Sequence, residues 1–111
     1  MKVRYLIVIA GLAGMPQSAM ANPYPTETTA DYVIGCMAAN GQSQDMLRRC
    51  SCSIDAIASA LPFDIYERAE TVLRMRNATG ESASLFRETP MLADTVNRLR
   101  LAQVEADFRC F

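Results

Sequence analysis

Cys50-Ser51-Cys52 is the stretch whose residue types and spacing first invite a chemical reading. Two thiols one residue apart can act as a redox centre when the surroundings stabilise one thiolate. Cys36 and Cys110 bring the cysteines to four, and an even set in a small exported chain usually means disulfides. Cys50 and Cys52 are too close to bridge each other with ease. A bridge needs Cα atoms about 4.4–6.8 Å apart and suitably aimed Cβ vectors. Each is therefore expected to pair elsewhere, with Cys36 and Cys110 as the partners. The preferred pairing is Cys36–Cys50 with Cys52–Cys110; Cys36–Cys52 with Cys50–Cys110 stays open. Either one ties the C-terminal segment to the second helix. Structural bridging is favoured over redox or metal work.

The other constellations are weaker. The chain has no histidine, which removes the commonest metal ligand and the usual Ser-His-Asp and Cys-His sites. Four thiolates can hold zinc, but the paired knuckles of structural zinc sites are missing. Met37, Met46, Met75 and Met91 with Cys36 would make a soft copper set, yet methionines at helical spacing are more often core filling. Asp64, Glu67 and Glu70 cluster on one predicted helix. Buried carboxylate pairs do acid–base work, but capping and solvation account for these three. No glycine-rich phosphate loop and no calcium loop occur. The expectation is a protein that is not an enzyme and carries no cofactor and no metal.

A recognition surface is the remaining candidate. Phe63, Tyr66 and Arg68 form a candidate partner surface, near Glu67, Glu70, Arg74 and Arg76, with an ordinary solvated helix face as the favoured reading of the charged residues. Tyr and Arg are favoured in protein interfaces. For Phe63, beside the break at Pro62, a core wedge is the competing reading.

The elements that must position these residues follow a leader. Lys2 and Arg4 precede an apolar run, Tyr5 to Ala13. Pro16-Gln17-Ser18 breaks that run, and Ala19-Met20-Ala21 places small residues where a signal peptidase reads them. This is the pattern of a cleavable export signal, and the run is too short for a membrane span, which needs about twenty residues. Cleavage is expected after Ala21, leaving residues 22–111 as one soluble domain in the periplasm, with no membrane span in the mature form. After Ala21 the chain holds nine Arg, no Lys and twelve Asp plus Glu, hence 9 − 12 = −3. No basic stripe exists, so nucleic acid is not an expected partner.

Residues 22–29 read as an extended lead-in, mobile in part. A first helix is predicted over 30–39, capped by Thr29 and ended at Asn40-Gly41. A second spans 44–61 behind Ser43, with Leu47, Cys50, Ile54, Ile57 and Leu61 on one stripe. Cys52 points elsewhere on that helix, and Pro62 forces its end. Asp64 and Glu67 resemble a capping box for a third helix running to Arg76, with Ile65, Ala69, Val72 and Leu73 facing inward. A polar loop over 77–84 and a short turn at Leu85-Phe86, filling a core gap, precede a last helix. That helix starts behind Thr89 with Pro90 at its first position and runs to Arg109. Its expected stripe is Leu92, Val96, Leu99, Ala106 and Cys110, interrupted by Gln103. The fold class is thus all-α: a four-helix, disulfide-bridged domain over 30–111 with antiparallel neighbours.

Four runs carry a family likeness. They are Tyr32-Val33-Ile34-Gly35-Cys36-Met37; Arg49-Cys50-Ser51-Cys52-Ser53-Ile54-Asp55-Ala56-Ile57-Ala58; Leu61-Pro62-Phe63-Asp64-Ile65-Tyr66; and Leu85-Phe86-Arg87. Together, over most of residues 32–110, they resemble a family of small secreted, cysteine-bridged bacterial proteins. That family is associated with gene neighbourhoods of quinone-cofactor (PQQ) alcohol or methanol dehydrogenases. The resemblance implies a periplasmic accessory role and carries over no active site. The expected function is a non-enzymatic periplasmic accessory or binding protein, serving an exported quinoprotein dehydrogenase system, with a periplasmic protein as partner. The alternatives are an immunity or inhibitor protein against a toxic effector or hydrolase, a thiol-redox protein using Cys50 and Cys52, and, more weakly, an acid-protective chaperone.

Overall fold

The computed structural model describes residues 22–78, 80 and 82–111; the leader expected over 1–21 lies outside the described residues. The described regular structure is helical throughout: α1 (Thr26–Asn40), α2 (Gln44–Ala60), α3 (Phe63–Asn77), α4 (Ser82–Glu88) and α5 (Pro90–Cys110). Cys36 is bridged to Cys50 and Cys52 to Cys110, with Cα separations of 5.8 and 5.7 Å. The preferred pairing is the one adopted.

α2 is the central element. The Ser43 hydroxyl accepts a hydrogen bond from the Met46 amide at 3.0 Å, and Asp45 sits in the first turn. Both satisfy or complement the unpaired amides and positive dipole of the helix start. The stripe read from spacing is largely the buried one: Cys50, Ile54 and Ile57 are fully buried and Leu61 is buried just past the helix end, while Leu47 stays exposed. α1 and α5 both pack on α2, and α3 packs on α5. Residues two apart on α2 lie about 200° round the axis. Cys50 therefore bridges to α1 and Cys52 to the end of α5.

The lead-in is shorter than expected. α1 begins at Thr26, four residues ahead of the predicted Ala30, so Thr29 lies inside the helix and is not its cap. The Pro25 carbonyl accepts from the Thr29 amide at 3.1 Å. Proline fixes φ just outside the helix, and packing of Tyr24 into the core sets the angle at which the chain enters. That tertiary anchor outweighs the modest helix propensity of the threonines. α1 ends at Gly41, whose φ of 123° is costly for any residue with a Cβ.

Two further boundaries differ. α3 starts at Phe63 behind Pro62, whose carbonyl accepts from the amides of Ile65 and Tyr66 at 3.1 Å each. Asp64 is consequently in the first helical turn and caps nothing, although its charge still suits the helix start. The segment read as loop and turn contains α4. Ala83, not Leu85, is its buried residue; Leu85 is exposed and Phe86 half-buried. α4 is clamped to the end of α3 by two guanidinium bonds. Arg76 Nε donates to the Phe86 carbonyl at 2.6 Å, and Arg87 donates to the Arg76 carbonyl at 2.9 Å.

Candidate functional site

α1 has one close neighbour, α2, to which the Cys36–Cys50 bridge fixes it. Its other side faces α3 and the end of α5 across an open cleft. Two adjoining lobes of about 580 and 570 Å³ share Asp31, Tyr66 and Glu70. The first lobe adds Tyr32, Cys36, Asn40, Asp107 and Phe111; the second adds Glu27, Phe63, Glu67, Thr71 and Arg74.

The floor is aromatic. Tyr66 is 5% exposed, and its ring centroid lies 5.0 Å from that of Tyr24, which in turn lies 5.2 Å from Phe63. The Tyr24 hydroxyl donates to the Leu61 carbonyl at 2.6 Å. That bond satisfies a carbonyl at the end of α2 left without a helical partner. Tyr32, reaching in from α1, shares a 2.8 Å hydrogen bond with the fully buried Ser53 of α2. A buried hydroxyl needs such a partner. Burial pushes the Tyr24 phenol up to about 12. Tyr66 is raised too, by burial first and then by the Glu70 charge. Burial also raises Tyr32; its bond to Ser53 opposes this, and Asp107 and Glu70 add to it. All three rings are neutral hydrogen-bonding groups at ordinary pH.

The walls are acidic. Five carboxylates line the two lobes (Glu27, Asp31, Glu67, Glu70 and Asp107) against one guanidinium, Arg74. Arg74 reaches Asp31 at 3.7 Å and so joins α3 to α1; both side chains are exposed, and such a pair contributes ~0.2–1 kcal/mol. Glu70 is half-buried. Burial raises its carboxyl above the usual range, Asp31 adds to the rise and Arg74 offsets part of it. Low-dielectric walls concentrate the field of like charges within a cleft. The arrangement is therefore one that attracts cations.

The residues picked out by sequence fall on both sides of this site. Phe63 and Tyr66 line the cleft; Phe63 is half-buried against the core and Tyr66 is a core residue. Arg68 is exposed and lies outside the cleft lining. Glu67 and Glu70 belong to the site, whereas Asp64 does not. Arg76 serves the α3–α4 clamp. All four cysteines are bridged, and Cys50 is fully buried, so Cys50 and Cys52 do not form a vicinal thiol pair. Cys36 is likewise no thiolate for copper, and Met75 and Met91 are exposed. Among the described residues no group of three or more Cys, Asp or Glu side chains could hold a metal ion.

Sequence reasoning missed Tyr32, Asp107 and Phe111 as parts of the cleft, and Tyr24 as the ring packed against its lining residues Phe63 and Tyr66. Tyr24 sits in a Pro- and Thr-rich stretch that reads as a loose lead-in; its signal was the lone large aromatic there. Asp107 and Phe111 come near α1 through the packing of α5 on α2 and the Cys52–Cys110 bridge at its end. No protein-family model, curated protein or solved structure matches this chain.

Proposed function

We propose that the chain is an exported, non-enzymatic accessory protein that holds a partner protein through the α1–α3 cleft. The observation that carries this reading is the cleft itself: five carboxylates around Tyr66 and Phe63, with α1 and α5 each bridged to α2. The complement of such a surface is a segment bearing Lys or Arg. Two disulfides fit an oxidising compartment, and no described helix is long and apolar enough to cross a membrane. With the leader read over 1–21, these features support the periplasm as the location. The resemblance over 32–110 directs the search for a partner to an exported quinoprotein dehydrogenase system.

Native mass spectrometry of the tagged protein, captured gently from its own periplasm, tests this reading. The expected result is a co-eluting exported protein, released by Glu70→Lys and by raised salt. A bare mass, with every periplasmic dehydrogenase activity intact in the deletion strain, overturns it. The acidic cleft also favours a second reading, an immunity or inhibitor protein seated over a cationic active site. Capture of one cognate enzyme, whose presence kills the deletion strain, selects that reading.

A further inference from the structure

The two lobes of the cleft differ in charge. Arg74 lines the second lobe, where it reaches Asp31 at 3.7 Å, and does not line the first. The first lobe therefore sets Asp31, Glu70 and Asp107 together with no cation in its lining. These carboxylates come from three helices, α1, α3 and α5, and Glu70 and Asp107 make no ion pair among the described residues. Tyr66 supplies a separate observation. It is 5% exposed and lines both lobes. Its hydroxyl makes no hydrogen bond among the described residues, whereas the phenols of Tyr24 and Tyr32 are both satisfied from within the chain. The Tyr66 hydroxyl is not sealed off either; it opens on the cleft. A buried ring whose polar end has no partner inside the fold is completed from outside.

We infer that the first lobe is a socket for one guanidinium, an arginine side chain of the partner, held among Asp31, Glu70 and Asp107 and donating an N–H to the Tyr66 hydroxyl. The assignment rests on the cleft being the partner's seat, and it names the group that enters. A guanidinium carries five N–H donors spread around a plane, so it can serve acceptors on several sides at once; an ammonium gathers three on a compact head. Acceptors arriving from three helices suit the planar group. A guanidinium is also the more weakly hydrated cation, so it loses less on entering a lobe whose Glu70 wall and Tyr66 floor are shielded from water. The lobe, about 580 Å³, admits the group together with its stem. The second lobe already seats a guanidinium, Arg74, against the shared Asp31. The first lobe is the one whose charge is left uncompensated.

Titration of the isotope-labelled, fully bridged protein with acetyl-Gly-Arg-Gly-amide at low ionic strength, followed by amide NMR shifts, tests the socket. The expected result is saturable binding in the millimolar range, with shifts centred on Tyr66, Glu70 and Asp107. Acetyl-Gly-Lys-Gly-amide should bind at least about threefold more weakly. Tyr66→Phe should weaken the arginine probe about fivefold, the worth of one hydrogen bond, while leaving the unfolding midpoint unchanged, because the hydroxyl has no partner in the fold. Asp107→Asn should weaken it about threefold, as for an exposed charge pair. Absence of saturable binding overturns the inference, as do equal affinity for the lysine probe and indifference to Tyr66→Phe. The cleft reading fails separately. A captured partner that Glu70→Lys releases, beside a failed arginine titration, keeps the cleft and removes the socket. A sound titration with no captured partner keeps the socket as a site for a free guanidinium compound and removes the partner protein.

Discussion

Tyr24 joins three parts of the molecule at once. Its ring packs against Phe63 and Tyr66 on α3, its hydroxyl reaches the Leu61 carbonyl beyond α2, and its amide donates to the Asn22 side chain at 2.8 Å. Tyr24→Phe should cost about 1 kcal/mol, the net worth of one buried hydrogen bond. Tyr24→Ala should cost about 3–5 kcal/mol, the range for emptying a buried aromatic site. Urea unfolding followed by circular dichroism reads both. Glu70 makes a pH-dependent contribution of definite sign. Its carboxyl is raised in the folded state, so the folded chain binds this proton more tightly than the unfolded chain does. The resulting stabilisation is fully present below the ordinary value of 4.5 and is lost as pH rises through the folded value. Glu70→Gln should therefore be more stable than the parent at neutral pH, with the difference shrinking towards acid. Unfolding free energies of the two proteins across that interval check it; a gap that widens in acid would refute the assignment.

Among the elements, α2 was the most legible. Its cap, its stripe and its stop at Pro62 are all local signals, and each survives in the fold. α1 was legible except for its start, which is set by the packing of Tyr24 against residues distant in sequence. α4 was hidden for a related reason: seven residues are too few to show a helical period, and the Arg76 and Arg87 bonds that hold it come from tertiary geometry. α1 contributes no buried residue of its own to the core. Only half-buried Tyr32 and Val33 pack there, so the Cys36–Cys50 bridge is its main tie. Replacing both cysteines by Ala removes a closure over 14 residues. It should cost about 3 kcal/mol overall, and the loss should concentrate in α1. Hydrogen exchange should then show α1 amides opening ahead of those in α2 and α5, and the cleft should lose its wall. Equal protection in all three helices would contradict this.

At the scale of the whole molecule, the all-α class followed from helical spacing, and the two-residue separation of Cys50 and Cys52 narrowed the bridges to two pairings, of which the preferred one is adopted. The cleft did not follow. Its carboxylates come from three helices, Glu27 and Asp31 on α1, Glu67 and Glu70 on α3, and Asp107 on α5. Read along the chain, each is an ordinary polar position on a solvated face. Only the folded arrangement gathers their charge in one place. The exposed apolar side chains of α5, Leu101, Val104 and Phe108, were similarly obscured. A helix apolar on two sides has no single direction of amphipathicity, so its inward residues Ala102 and Ala106 and its outward ones blur together in the sequence.

The order of the bridges has a consequence for how the protein is made. The first and second cysteines along the chain are joined, and so are the third and fourth. The two closed loops follow one another without overlapping. A chain delivered amino end first can seal its first loop while the remainder is still on its way. An oxidase that simply joins thiols in order of arrival then produces the correct product directly, with no reshuffling step.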